Sequence, residues 1–288
     1  MIRAKAFLAV ALLGLAVLRS EAARGDDLIT LDTRPGVKQS FLLLEPKGMA
    51  KGTAKGVVIV LPGHEGEVKF NKTANGGYEL INYGGKGGGL TVQRPMRETL
   101  RNSGFVVAMI TPPSDRTRFS PQFRKSAEHL ADMRGVIDYL RARYGKVYLQ
   151  GHCLSTLSAA SVASGLRSDG ISGMILSSTR STGKDGSVTD FERGSVKVPV
   201  LLVHHRDDSC PQAPYRNIEA AVKPFYESAA PKVDIVTVTG GDKRLKKKED
   251  SCKDGLHGFK GMEKETAQAI VSWLLDEKFP AHVDGTKK

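Results

Sequence analysis

Cysteine is scarce in this chain, with 3 in 288 residues, and no two of them stand in a C-x-x-C spacing. The 7 histidines form no H-x-x-x-H pair. The spacings that spell zinc sites are therefore missing, and no metal is expected. No fixed-period repeat is visible, which excludes a solenoid. No long apolar run follows the N-terminal segment, which excludes a polytopic membrane protein. Nucleotide, flavin and haem motifs are absent too. The glycine cluster from Gly84 to Gly89 does not lead from a strand into a helix, so it is no dinucleotide loop, and no cofactor is expected. Acidic residues are in deficit, 31 against 43 basic ones, for a net charge of +12. Such a surface steers acidic partners, envelope polymers or anionic lipid toward it. The densest basic run, Lys243-Arg244-Leu245-Lys246-Lys247-Lys248, has no interleaved aromatics. It reads as a solvated loop and not as a nucleic-acid surface.

What is present begins with a targeting segment. Arg3 and Lys5 precede an uncharged apolar run over residues 6–18, and Ser20-Glu21-Ala22 places small residues where a signal peptidase reads. The run is shorter than the roughly 20 residues of a membrane span, though an uncleaved anchor stays open. Residues 1–22 read as a signal peptide, with a periplasmic or secreted destination and no integral span after cleavage. Residues 23–288 then form a single domain carrying a net charge of +10. Oligomeric state is not written in the chain.

Residues 28–45 read as an opening antiparallel strand or hairpin. The β-branched run 57–61, bounded by glycines and a proline, fits a strand buried on both faces. Residues 71–90, rich in Gly and Asn, read as a long loop. A helix over 94–102 precedes a second buried strand, 105–110. The strongest helix spans 126–144, where Leu130, Met133, Ile137 and Leu140 recur at helical steps. Strands at 147–150, 173–176, 198–204 and 233–238 alternate with helices to about residue 163 and over 215–226 and 263–275. That alternation predicts an α/β fold with a mostly parallel sheet covered on both faces. In such sheets, chemistry gathers at the C-terminal strand ends.

The loops at those ends are the chemically richest in the chain. After residue 61 comes Pro62-Gly63-His64-Glu65-Gly66, whose glycines let backbone N–H groups turn toward a developing oxyanion. After residue 150 comes Gly151-His152-Cys153-Leu154-Ser155, the pattern G-x-nucleophile-x-small of a strand, sharp turn and helix. Cysteine stands where serine is commoner, and Ser155 itself is a second candidate nucleophile. After residue 203 comes His204-His205-Arg206-Asp207-Asp208-Ser209-Cys210, in which Asp207 competes with Asp208. Last comes Leu256-His257-Gly258-Phe259, ahead of the closing helix.

Nucleophile, acid and histidine in that order resemble the α/β-hydrolase superfamily, from about residue 57 to 275. The resemblance implies that fold, with a twisted sheet and helices on both faces. It implies Cys153 as nucleophile, His257 as base and Asp208 as acid. The oxyanion would be bound by the N–H of Leu154 and one from Gly63 or His64. The dienelactone-hydrolase branch uses a Cys-His-Asp triad, so cysteine at the elbow is compatible with catalysis. If Asp208 and His257 meet, Cys210 and Cys252 come within bridging range, and Cys153 is left as the free thiol. The expected activity is cleavage of an ester, thioester or lactone of a small-molecule substrate. The competing reading is a hydrolase-fold binding protein for an acidic envelope ligand or a protein partner.

Overall fold

A computed structural model of the chain describes residues 26–285 except 47, 49–51, 75, 84–89, 243–250 and 253–254. The targeting segment, the Gly84–Gly89 cluster and the basic run at 243–248 lie outside the described residues. The chain opens with β1 (Asp27–Arg34) and β2 (Val37–Leu44), an antiparallel hairpin turned by Pro35 and by Gly36 at φ 71°. Proline fixes the first turn position and glycine accepts the left-handed second one. Next come β3 (Val57–Val60), a small hairpin of β4 (Val68–Lys72) and β5 (Tyr78–Tyr83), and α1 (Leu90–Asn102). They are followed by β6 (Val106–Ile110), α2 (Ala127–Tyr144), β7 (Val147–His152), α3 (Ser155–Gly165) and β8 (Gly173–Ser177). The chain closes with β9 (Val200–His205), α4 (Lys223–Tyr226), β10 (Val233–Thr239), α5 (Glu263–Leu274) and β11 (His282–Asp284).

The nine-stranded sheet has the order β1-β2-β6-β3-β7-β8-β9-β10-β11. Only the β1–β2 and β2–β6 pairs are antiparallel. Successive residues of a strand point to opposite faces, and both faces here are covered. Val57 and Ile59 join the core beneath α2 and α3, with Leu140, Leu157 and Val162. Val58 and Val60 join the core on the other face, with Leu100 of α1 and Ile270 of α5. This double burial explains why the central strands are continuous apolar runs.

The chain reverses direction across the sheet between β3 and β7. From β3 it runs outward to β6, then returns past β3 to β7 and continues the other way. Loops leaving the C-terminal ends of β3 and β7 diverge at this point, and a crevice opens between them. Residues 71–90 are not wholly a loop. They contain β5 and the end of β4, and Tyr83, fully buried, donates its hydroxyl hydrogen to the Val60 carbonyl. The hairpin is thereby pinned to the end of the central strand. Among the described residues, no helix is long and apolar enough to cross a membrane.

Candidate active site

The β7–α3 turn is tight because Gly151 has no side chain. A Cβ there would lie 2.6 Å from the Ser155 carbonyl oxygen and 2.8 Å from the Thr156 Cα. Cys153, next but one, takes the left-handed region at φ 54° and donates its N–H to the Ser177 carbonyl at 3.0 Å. The Ser155 hydroxyl accepts from His152 N at 2.8 Å and donates to His152 O at 2.9 Å, wholly buried. Ser155 therefore braces the turn instead of facing the crevice. Thr156 donates its hydroxyl hydrogen to the Cys153 carbonyl at 2.6 Å.

His257 lies on a short 3-10 turn, Gly255–Gly258, and its Nδ1 is 2.8 Å from Asp208 Oδ2. The acid side chain is fully buried. It accepts from Cys210 N at 2.9 Å, and His204 Nε2 stands 3.3 Å away. Asp207 instead faces solvent beside Arg206. His204 also contacts the Ala213 carbonyl at 2.8 Å, and His205 contacts that of Gly240 at 2.9 Å, so both braid loops together. His152 packs its ring on His257 with centroids 5.3 Å apart. Burial and the His257 charge push His152 down to about 3, which keeps it neutral.

Besides Asp208, His257 interacts with Cys153, both by charge and by a side-chain hydrogen bond. Burial opposes charge on both groups, but their mutual attraction outweighs it. The Cys153 thiol is held below its usual value by His257 and, more weakly, by Arg180 and the Leu154 N–H. His257 is pushed up to about 10 by Cys153 and Asp208 against the same burial. Burial would raise the Asp208 carboxyl, yet His257 and His204 pull it well below the ordinary carboxylate range. Both directions favour the thiolate–imidazolium pair over the neutral one.

Cys210 and Cys252 form a disulfide that joins the acid loop to the histidine loop, and Cys153 is the free thiol. Gly63 and His64 lie on the loop after β3. His64 has φ 46° and lines, with Cys153 and Leu154, a cavity of about 490 Å³. Sequence reasoning missed two arginines. Arg124 is fully buried and donates to the carbonyls of Pro62 at 2.8 Å and His64 at 3.2 Å, and to the Ser158 hydroxyl at 3.2 Å. It ties the loop after β3 to α3. Arg180 lines the cavity itself. Neither stands in a recognisable spacing, so the sequence carried no signal for them. Ser178, at φ 44°, holds the His257 carbonyl at 2.7 Å. His64, Cys153, Ser178 and Phe259 are four of the 7 non-glycine residues with positive φ among the described ones. Backbone strain is thus concentrated around the crevice, as it commonly is at working sites. Among the described residues, no group of three or more His, Cys, Asp or Glu is placed to hold a metal.

No family model matches the chain, and no curated protein does. Solved structures do. One is an α/β serine hydrolase without a lid from Xanthomonas campestris, with TM-score 0.53 and 14% identity over 88% of this chain and 94% of that one. A second is a thermophilic esterase from Thermogutta terrifontis, with TM-score 0.55 and 13% identity over 88% and 92% of the two chains. A third is a dienelactone hydrolase-like promiscuous phosphotriesterase from metagenomic libraries, with TM-score 0.53 and 12% identity over 87% and 97%. At such identities the likeness speaks for the fold alone, which is that of the α/β hydrolases.

Proposed function

We propose that the chain is an exported thiol hydrolase that cleaves a carboxylic ester, thioester or lactone through an acyl-thioenzyme. The observation that carries this reading is a free cysteine in the left-handed region at a strand–helix elbow, electrostatically coupled to His257, which is held by Asp208 at 2.8 Å. The Cys153 thiolate attacks the carbonyl carbon and a C–S bond forms. The oxyanion is met by the N–H of Leu154 and one from Gly63 or His64. The imidazolium of His257 gives its proton to the departing alkoxide or thiolate as that bond breaks. Water then attacks the thioester while His257 takes its proton, and the Cys153 thiolate leaves. Asp208 holds the ring and offsets its charge throughout. A signal peptide over residues 1–22, ahead of one domain over 23–288, fits the Cys210–Cys252 bridge, since such bridges persist in oxidising compartments.

The test is hydrolysis of short p-nitrophenyl esters by the mature protein beside Cys153→Ala, Cys153→Ser and Ser155→Ala. Cys153→Ala is expected to lower kcat by a factor on the order of 10³ or more. Ser155→Ala is expected to keep turnover while losing about 1–2 kcal/mol of stability with the bonds that brace the elbow. Wild-type turnover indifferent to Cys153→Ala would sink the mechanism. A silent wild type would favour the reading as a binder of an acidic ligand or a protein partner.

A further inference from the structure

Arg180 is unlike the surface arginines. It is 6% exposed, follows β8, and lines the same cavity as Cys153 and Leu154. Its position is fixed from the nucleophile outward. Thr156 donates to the Cys153 carbonyl, and the same hydroxyl oxygen accepts from Arg180 N at 3.1 Å. The guanidinium is only partly engaged by the protein. One amino group donates to Asp185 Oδ2 at 2.7 Å, the other reaches Gln212 Oε1 only at 3.5 Å, and Nε is buried with no partner. A guanidinium has five N–H donors in a rigid fork that matches a carboxylate.

Arg124 shows what a structural buried arginine looks like in this fold. It has no exposure, and it binds two carbonyls and a hydroxyl. The Nε of each lacks a partner among the described residues, but Arg180 differs by lining the cavity and by leaving its second amino group with only the long contact to Gln212. Arg118 lines the same cavity and also a polar recess beside it with Arg116, so cationic groups continue outward from the nucleophile. Among the described residues, Asp185 and Glu65 are the acidic groups on the cavity wall. Asp185 is already committed to Arg180.

We propose that Arg180 is a substrate-binding residue that receives a carboxylate of the substrate, so that the site takes esters, thioesters or lactones carrying an anionic group near the scissile carbonyl. This rests on the thiol-hydrolase reading only in taking the Cys153 cavity as the substrate's place. Burial of the guanidinium strengthens a charge-assisted pair with an incoming carboxylate and penalises a neutral group in its stead. Asp185 holds the fork in orientation and competes for it.

The experiment needs no turnover. Cys153 is the free cysteine and the other 2 of the chain's 3 are bridged, so iodoacetamide alkylation reports this cavity alone. Alkylation of the mature protein is followed in glutarate or in glutaramide, its neutral diamide, at matched ionic strength. Each variant is referred to its own unliganded rate. Glutarate is expected to protect Cys153 at concentrations about tenfold or more below those at which the diamide does. Arg180→Gln is expected to erase that difference, and Arg180→Lys to restore part of it. Asp185→Asn, which frees the fork, is expected to lower the glutarate concentration for half protection several-fold. Equal protection by acid and diamide, no protection by either, or an acid preference that survives in Arg180→Gln would overturn the proposal. Should Arg180→Gln fail to fold, Asp185→Asn decides: half protection unchanged or weakened counts against it. Ester turnover measured in parallel keeps the two readings apart. Turnover without carboxylate preference removes this inference and leaves the hydrolase, whereas preference without turnover does the reverse.

Discussion

At the scale of residues, the site is a balance between burial and attraction, and the balance has a sign that can be measured. Burial alone would lift the Cys153 thiol, and the His257 cation brings it below its usual value. The thiolate–imidazolium form therefore exists above the lowered thiol value and below the raised histidine value, which lies at about 10. The rate of Cys153 alkylation is expected to reach half its plateau below pH 9.0, the ordinary value from which the thiol is lowered. In His257→Asn only the opposing burial and the weaker Arg180 and Leu154 contributions remain. The half-plateau there should move upward, to the free-thiol value or beyond. A profile that did not move would mean the two groups are uncoupled. That Cys153, Asp208 and His257 would come together was legible in the chain. Cys153 stands in an elbow pattern, and His257 and Asp208 sit in loops that follow strands. What separates Asp208 from Asp207, or Cys153 from Ser155, is the side of the chain each occupies. One-residue differences of that kind are settled by packing, which the sequence does not display.

Among the elements, the two loops on either side of the β3–β7 crevice are held by different devices. The elbow is braced from within by Ser155 and Thr156. The loop after β3 is held from outside by Arg124, which occupies two of its carbonyls and so turns the neighbouring N–H groups elsewhere. If that loop supplies an oxyanion donor as proposed, Arg124→Met is expected to lower kcat about tenfold with KM little changed, since such a donor acts in the transition state. The same change should cost about 2–3 kcal/mol through the carbonyls left without donors. Steady-state kinetics beside thermal unfolding would separate the two effects. The strands and helices around these loops could be read from apolar runs and helical spacing, because double burial writes itself into residue type. The β4–β5 hairpin could not. Of its strand residues only Leu80 and Tyr83 are buried, and a register shift between Lys69 and Phe70 breaks the alternation that would mark them. Residues 215–226 read as one helix, yet a π-helical stretch, Ile218–Val222, precedes α4. Pro224, lacking an N–H, cannot extend a regular ladder there. β11, three residues long, is too short to show a period.

For the whole molecule, the Cys210–Cys252 bridge spans 42 residues and closes the C-terminal part of the sheet around the acid and the histidine. Cross-linking a loop of that length stabilises by roughly 2–4 kcal/mol. Reduction is expected to lower the urea midpoint accordingly. The single tryptophan reports it, since Trp273 is 7% exposed on α5 and donates to Asp234 at 2.7 Å on β10. An unchanged midpoint in reductant would show that the loops are held by packing alone. The bridge also bears on how the molecule is made. One bridge among 3 cysteines can form in three ways, and two of them lock Cys153, the proposed nucleophile, into a bond. A nascent chain oxidised before it has folded is thus exposed to two non-native pairings for each native one. Maturation then has to be reversible: refolding in a mixture of reduced and oxidised glutathione should yield more free Cys153 than refolding in air. If the chain is exported as proposed, the oxidising surroundings that secure the bridge are also the main hazard to the Cys153 thiol.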